Sequence, residues 1–260
     1  MSVSRNGPEV PPPPPWPRPV AWLLLQALLL LLGLMSALWA PLALLLYPLL
    51  PAGAGRRLGR AVVARGYTIY WRVTAASGLM QLHAQALDAL RDEPGLVVVA
   101  NHPSLLDAMM LAAHLPRGAC IMKASLMRNP LLGPGAAMAR YIRNDSAWGM
   151  VTRAVEELRR GGQLLLFPEG TRTTRAGLNP FHSSFTLIAK RAQAPIQAVF
   201  IDTDSPYLGK GWPLWRLPPL PIRFEVRLGR RFEPAQDHVA LCSEIEAYFA
   251  AGVRGGSASA

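Results

Sequence analysis

Between Val20 and Gly55 the chain has no Asp, Glu, Lys, Arg or His, and leucine dominates the run VAWLLLQALLLLLGLMSALWAPLALLLYPLL. An uncharged block of this length exceeds the ~20 residues that one membrane-crossing helix needs. A cleavable secretion signal has an apolar core of only about 7–15 residues, so the block reads as a retained membrane anchor over 20–55. Pro41 is expected to divide it into a piece near Val20–Ala40 and a piece near Leu42–Leu50. One tilted span and a helical hairpin dipping into one leaflet both fit that division. Ahead of the block, residues 1–19 include the proline run Pro11–Pro15, which cannot pack as helix or central strand and reads as a disordered lead.

Directly behind the block come Arg56, Arg57, Arg60 and Arg65, then Tyr67, Tyr70 and Trp71. Basic residues beside an apolar span, with aromatic rings at headgroup depth, mark a cytoplasmic membrane interface. Residues 56–78 are therefore expected to form an interfacial helix, with the following domain facing the cytoplasm from the inner (cytoplasmic) membrane. The 27 Lys+Arg against 16 Asp+Glu give a formal charge of +11, which favours an anionic partner. No zinc-finger spacing, basic heptad region or aromatic RNA-binding segment accompanies that charge, so membrane lipid is expected and nucleic acid is not. Cys120 and Cys242 make neither a metal set nor a disulfide framework, and no metal or cofactor is expected.

Beyond Gly78 the hydrophobic period changes. Short apolar runs at Leu96–Ala100, Ala119–Met122, Gln163–Phe167, Ile196–Ile201 and Ile222–Leu228 read as buried strands. Helical patterns lie between them. The clearest is Ser146–Arg160, with Trp148, Val151, Val155 and Leu158 on one face and Gly161-Gly162 as a stop. Leu105–His114 and Phe181–Arg191 are further candidates, and Val239, Cys242, Ile245 and Phe249 place an apolar stripe on a last helix. Alternating strands and helices predict an α/β fold with a mostly parallel sheet flanked by helices over 79–253, followed by a frayed tail at 254–260.

Two short stretches combine polar chemistry with strand ends. In NHPSLLD the strand stops at Asn101, Pro103 is placed to open a helix, and His102 is expected at the carboxyl edge of the sheet, where ligands of open α/β folds bind. Its ring can fold back on Asp107, the base-and-orienter arrangement of acyl-transfer sites. A bland alternative stands beside it, in which Ser104 caps a helix with Asp107 three residues on. The same His-four-residues-Asp spacing recurs at His83 and Asp88 without the Asn-Pro context, and reads as coincidence. In LLLFPEGTR a second buried strand runs into Glu169, Gly170, Thr171 and Arg172. A carboxylate, a glycine allowing close approach, a hydroxyl and an arginine in one strand-end loop suit a phosphate-bearing ligand.

With both blocks in view, the chain resembles the glycerolipid acyltransferase family, specifically the lysophosphatidic acid (1-acylglycerol-3-phosphate) acyltransferases, over about residues 79–229. NHPSLLD is similar to the family's first block, which implies His102 as general base and Asp107 as its partner. FPEGTR is similar to the third block, implying that Glu169, Gly170, Thr171 and Arg172 meet the acceptor's glycerol phosphate. IMKASLMRNPLLGPGAAMARYIRND resembles the second region, with Lys123 near the reaction centre and Arg143 at the phosphate. APIQAVF resembles the fourth block, whose Pro195-Ile196 pair is thought to shape the pocket. The resemblance implies transfer of an acyl chain from acyl-CoA or acyl-carrier protein to a lysophospholipid acceptor. Phe181-His182-Ser183-Ser184 and Gln197-Ala198-Val199 depart from the common pattern, and both are expected near the pocket wall, where they put the acceptor in question.

Overall fold

The computed structural model describes residues 16–174 and 177–253; the proline run 11–15 and the glycine-serine tail lie outside them. Helix α1 (Arg18–Leu49) continues through Pro41 and Pro48, the chain turns at Leu50-Pro51, and α2 (Ala52–Ala76) follows. Pro41 therefore does not divide the apolar block. An internal proline removes one backbone bond and costs about 3 kcal/mol. Here Ala40 and Ala43 are buried on either side of it, so packing holds the helix continuous.

Helix α1 lies along the domain. Near its start Ala21, Leu25 and Leu28 join the core, Trp22 Nε1 donates to Trp215 O at 2.8 Å and Gln26 Nε2 to Leu214 O at 3.1 Å. Near its end the Arg140 guanidinium sits 4.4 Å from the Tyr47 ring centre. The opposite face leaves Leu30, Leu34, Leu38, Leu42, Leu45 and Leu49 exposed, a leucine row at one-turn spacing.

Helix α2 is the inner member of the pair, which corrects the interfacial reading of its aromatic rings. Tyr70 and Trp71 are buried, and Trp71 meets Phe224 edge-on at 5.9 Å. They face the sheet because α1 covers the outer side. Arg60 is buried too. Its Nη1 donates to Glu157 Oε1 at 2.7 Å and to Arg117 O, and its Nε donates to Ala139 O. Of the four arginines only Arg57 and Arg65 are exposed. A Cβ on Gly59 would stand 2.6 Å from the main chain of Met138 and Ala139, so glycine is what lets α2 approach this closely.

The sheet has seven strands: β1 (Met80–His83), β2 (Val97–Ala100), β3 (Gly118–Met122), β4 (Ile142–Arg143), β5 (Gln163–Leu166), β6 (Ile196–Thr203) and β7 (Ile222–Phe232), in the order β1-β7-β6-β2-β5-β3-β4. From β6 to β4 all neighbours are parallel, β7 runs antiparallel to β6, and β1 pairs parallel with β7. The mostly parallel α/β class is as read from the sequence. The remaining helices are α3 (Asp107–His114), α4 (Ala124–Met127), α5 (Gly133–Met138), α6 (Ala147–Arg159), α7 (Ser184–Ala192) and α8 (His238–Gly252).

Alternation along β2 sorts the layers. Val98 and Ala100 face the core under α1, α2 and α3, whereas Val97 and Val99 face the core under α6, α7 and α8. Two apolar positions depart from the predicted stripes. Trp148 is exposed with the Arg191 guanidinium 5.0 Å from its ring centre, and Val239 is exposed while Leu241 is buried in its place.

Candidate active site

The parallel strands end at one edge, and β2 delivers the first block there. Asn101 is buried. Its Nδ2 donates to Ile201 O and its Oδ1 accepts from Ile201 N–H, both at 2.8 Å, so one side chain extends the β2–β6 ladder and fixes where His102 begins. The regular helix opens at Asp107, not at Pro103. Asp107 Oδ2 accepts the Ser104 N–H at 2.8 Å while the Ser104 hydroxyl donates to Tyr207 O, and these bonds hold residues 102–106 as a turn.

His102 Nδ1 lies 2.9 Å from the same Asp107 Oδ2. One carboxylate oxygen thus serves both the turn and the histidine, while Ser104 itself caps no helix. The ring stacks on Phe167 with centroids 4.0 Å apart and planes 15° from parallel, which fixes its orientation. With Nδ1 committed to Asp107, Nε2 is the nitrogen left to take a proton. Asp107 is fully buried and its Oδ1 has no partner among the described residues. Burial pushes its carboxyl above the ordinary range, against the opposing pull of His102 and the Ser104 N–H.

The third block supports the first from behind. Glu169 is 3% exposed and both oxygens are occupied. Oε1 accepts the His102 N–H at 3.2 Å and the Thr173 hydroxyl, while Oε2 accepts Asn179 N–H at 2.9 Å and Asn179 Nδ2 at 2.7 Å. Thr173 also accepts from His102 N and donates its own N–H to His102 O at 2.7 Å. The acceptor role implied for Glu169 is therefore revised: its carboxylate faces inward and ties the two blocks together. Gly170 has φ +63, and a Cβ on it would meet the His182 ring at 3.2 Å. Thr171 is half-buried beside it. Arg172 spends Nη1 on the Leu208 and Gly209 carbonyls at 2.8 and 2.7 Å, leaving Nε and Nη2 without a partner among the described residues.

Lys123 and Arg143 stand at the ends of β3 and β4 on the same edge. At about 4.8 Å per strand they are displaced roughly 10 and 14 Å from β2. No hydrogen bond or ion pair among the described residues joins either one to His102 or Asp107. Lys123 is exposed, and Arg143 is paired with Asp145. The fourth block lies elsewhere. Ile196 and Gln197 pair with Val97 and Val98 at the opening of β2, away from the carboxyl edge, and Gln197 Nε2 donates to Gly229 O at 2.7 Å. Gln197 thus braces the β6–β7 irregularity instead of lining the site, and of the two departures only His182 is near the third block.

The decoy pair separates: Asp88 Oδ1 meets His114 Nδ1 at 3.0 Å, and His83 is exposed at the end of β1. Asn101 is legible in the sequence only as the end of a strand, and Phe167, Thr173 and Asn179 carry no motif of their own. The polar run after FPEGTR was the only signal for the last two. Among the described residues no three His, Cys, Asp or Glu side chains are grouped to hold a metal. Both cysteines are buried and free, and burial pushes the Cys120 thiol up to about 12, which leaves it inert as a nucleophile.

Residues 81–202 match the sequence model of the Acyltransferase family. A lyso-ornithine lipid O-acyltransferase of Pseudomonas aeruginosa is 35% identical over 43% of this chain and 47% of that protein. Human 1-acyl-sn-glycerol-3-phosphate acyltransferase beta is 29% identical over 74% of each chain. The stretches matched in the first relatives span less than half of them, 47% of the Pseudomonas protein and 40% of a Caenorhabditis elegans one. The fold superposes with a TM-score of 0.61 on the crystal structure of the 1-acyl-sn-glycerophosphate (LPA) acyltransferase PlsC from Thermotoga maritima, covering 91% of this chain and 96% of that one at 18% identity. Over residues 81–202, a little under half of its length, the chain is like the Acyltransferase family, and the relatives and the fold it resembles are those of 1-acyl-sn-glycerol-3-phosphate acyltransferases.

Proposed function

We propose that the protein moves an acyl chain from a thioester donor, acyl-CoA or acyl-carrier protein, to the free hydroxyl of a lysophospholipid, 1-acylglycerol 3-phosphate fitting best. The observation that carries this reading is the 2.9 Å contact between His102 Nδ1 and the buried Asp107 carboxylate at the carboxyl edge of the sheet. His102 Nε2 removes the hydroxyl proton as the oxygen attacks the thioester carbonyl, a form of assistance worth roughly 10²–10⁴-fold. The thiolate leaves and takes up the proton from the imidazolium, so ester and thiol form in equal amounts without a covalent enzyme intermediate. Asp107 holds the tautomer and stabilises the imidazolium. The unpartnered Nε and Nη2 of Arg172 and the exposed Lys123 are the cations available to the acceptor's phosphate.

In this reading the leucine row of α1 lies in one leaflet of the cytoplasmic membrane. Leu214 and Trp215, exposed beside the start of α1, extend that apolar face. The domain then sits on the cytoplasmic surface, where lysolipid can slide from the bilayer to His102.

Lyso-ornithine lipid is the second reading. It is favoured by the 35% identity to the Pseudomonas protein and by His182, which stands against Gly170 in the third block. An acceptor panel with the purified protein decides between them. Lysophosphatidate is expected to be acylated at least tenfold faster than lyso-ornithine lipid, because two cations are available for a dianionic head, each 1.4 kcal/mol being tenfold. The opposite order would replace the first reading with the second.

A further inference from the structure

A cavity of about 660 Å³ lies at the turn between α1 and α2, and none of His102, Asp107, Glu169 or Arg172 lines it. Its wall holds five arginines and two glutamates. Glu157 is engaged by Arg60 and Arg56, Glu156 by Arg160, and Asp145 takes both Arg143 and Arg153. Arg140 alone of the five has no carboxylate partner among the described residues. Its guanidinium lies over Tyr47 and donates to the Tyr47 hydroxyl, and its Nε is buried without a partner among the described residues.

The backbone at Arg140 sharpens the point. Arg140 has φ +56 and follows the end of α5, with Arg140 N–H on Ala137 O and Tyr141 N–H on Ala136 O, both at 3.0 Å. This is the left-handed helix stop that glycine fills most easily. An arginine there carries a backbone cost that glycine would not. Across the cavity are Ala52 and Gly53, in the first turn of α2, which has no side-chain cap. The free N–H groups of that turn add positive potential facing the same space.

We propose that this cavity binds the phosphate of an anionic phospholipid of the host leaflet, a site separate from the acceptor's. It rests on the reading of α1 as lying in the membrane, and not on the acyl-transfer reading. The occupant follows from position. Tyr47 is in the last turn of α1, beside exposed Leu44, Leu45 and Leu49, so the cavity opens where an apolar helix ends and bilayer phosphates are concentrated. Lipid held there would pin the α1–α2 turn to α5 and fix the depth of the domain. Arg143, which the sequence assigned to the acceptor phosphate, belongs to this wall.

Flotation of the full chain with vesicles of phosphatidylcholine, alone or mixed with phosphatidylglycerol, tests the site. The wild type is expected to bind the mixed vesicles more tightly. Arg140→Gly should lose roughly fivefold or more of that preference, while binding to phosphatidylcholine and the thermal midpoint stay unchanged, since glycine suits the backbone. Exposed Arg57→Gln, in the second turn of α2 and outside the cavity wall, should lose less. Equal losses in the two variants, or an undiminished preference in Arg140→Gly, would overturn the site alone. Wild type floating with neither vesicle would overturn both the site and the membrane reading of α1. Competition by coenzyme A in the wild type but not in Arg140→Gly would assign the cavity to the donor's nucleotide phosphates and overturn the lipid assignment.

Discussion

Asp107→Asn is expected to slow acyl transfer by roughly 10²–10⁴-fold while leaving the fold intact. The Asn amide oxygen can still accept the Ser104 N–H. The same oxygen, standing where Oδ2 stands, still accepts from His102 Nδ1, but a neutral amide no longer stabilises the imidazolium that forms when a proton is taken at Nε2. That is the nitrogen required to remove the proton of the lysolipid hydroxyl. Stability should move the other way, if at all. Burial holds the Asp107 carboxyl above the ordinary range, so as pH rises from about 4 the unfolded chain gives up this proton before the folded one does. Ionisation of Asp107 therefore works against the folded state between its unfolded and raised folded values, and the variant escapes that cost. Thermal melts from acid to neutral pH, run beside the activity assay, should show Asp107→Asn no less stable at pH 7. A variant that unfolds at room temperature would mean the carboxylate mainly braces the turn at residues 102–106.

Glu169→Ala is expected to destabilise the protein by about 3–5 kcal/mol, on the order of 1–3 kcal/mol for each buried donor left without an acceptor. The donors left are the part-buried Thr173 hydroxyl and Asn179 N–H, while Asn179 Nδ2 keeps Arg172 O and His102 N–H keeps only Thr173. The loop holding His102 would loosen, so kcat should fall with little change in KM for the acceptor. Glu169→Gln keeps one carbonyl oxygen and should recover part of both losses. A surface residue that only touches the acceptor would behave differently, raising KM and leaving the melting temperature alone. Denaturant titration and acceptor saturation curves on the same two variants separate these roles.

What the sequence made legible follows from how local each feature is. Strands β2, β3, β5 and β6 are largely apolar and β7 alternates apolar with charged residues, so local pattern locates them; β4 has two residues and leaves no pattern. His102 and Asp107 are five residues apart within one turn, so their meeting could be read from spacing. The Glu169 cluster depends on Asn179 and on the main chain of His102, 67 residues away, which no local pattern encodes. Arg60 and Glu157 are 97 residues apart and pair only because α2 folds back under α1. The same fold-back buries Tyr70 and Trp71, whose amphipathic character fits a headgroup interface equally well when the outer helix is not in view. Pro41 misled for a related reason: propensity counts the lost bond, and tertiary packing at Ala40 and Ala43 outweighs it.

The central claim is that His102 removes the proton from the lysolipid hydroxyl. The direct measurement follows thiol release and ester formation together, with purified wild type and His102→Ala supplied with an acyl thioester and lysophosphatidate in mixed micelles. The wild type should release one thiol per ester formed, and His102→Ala should fall by roughly 10²–10⁴-fold in both with an unchanged thermal midpoint. Wild-type rates in the folded variant would contradict the account.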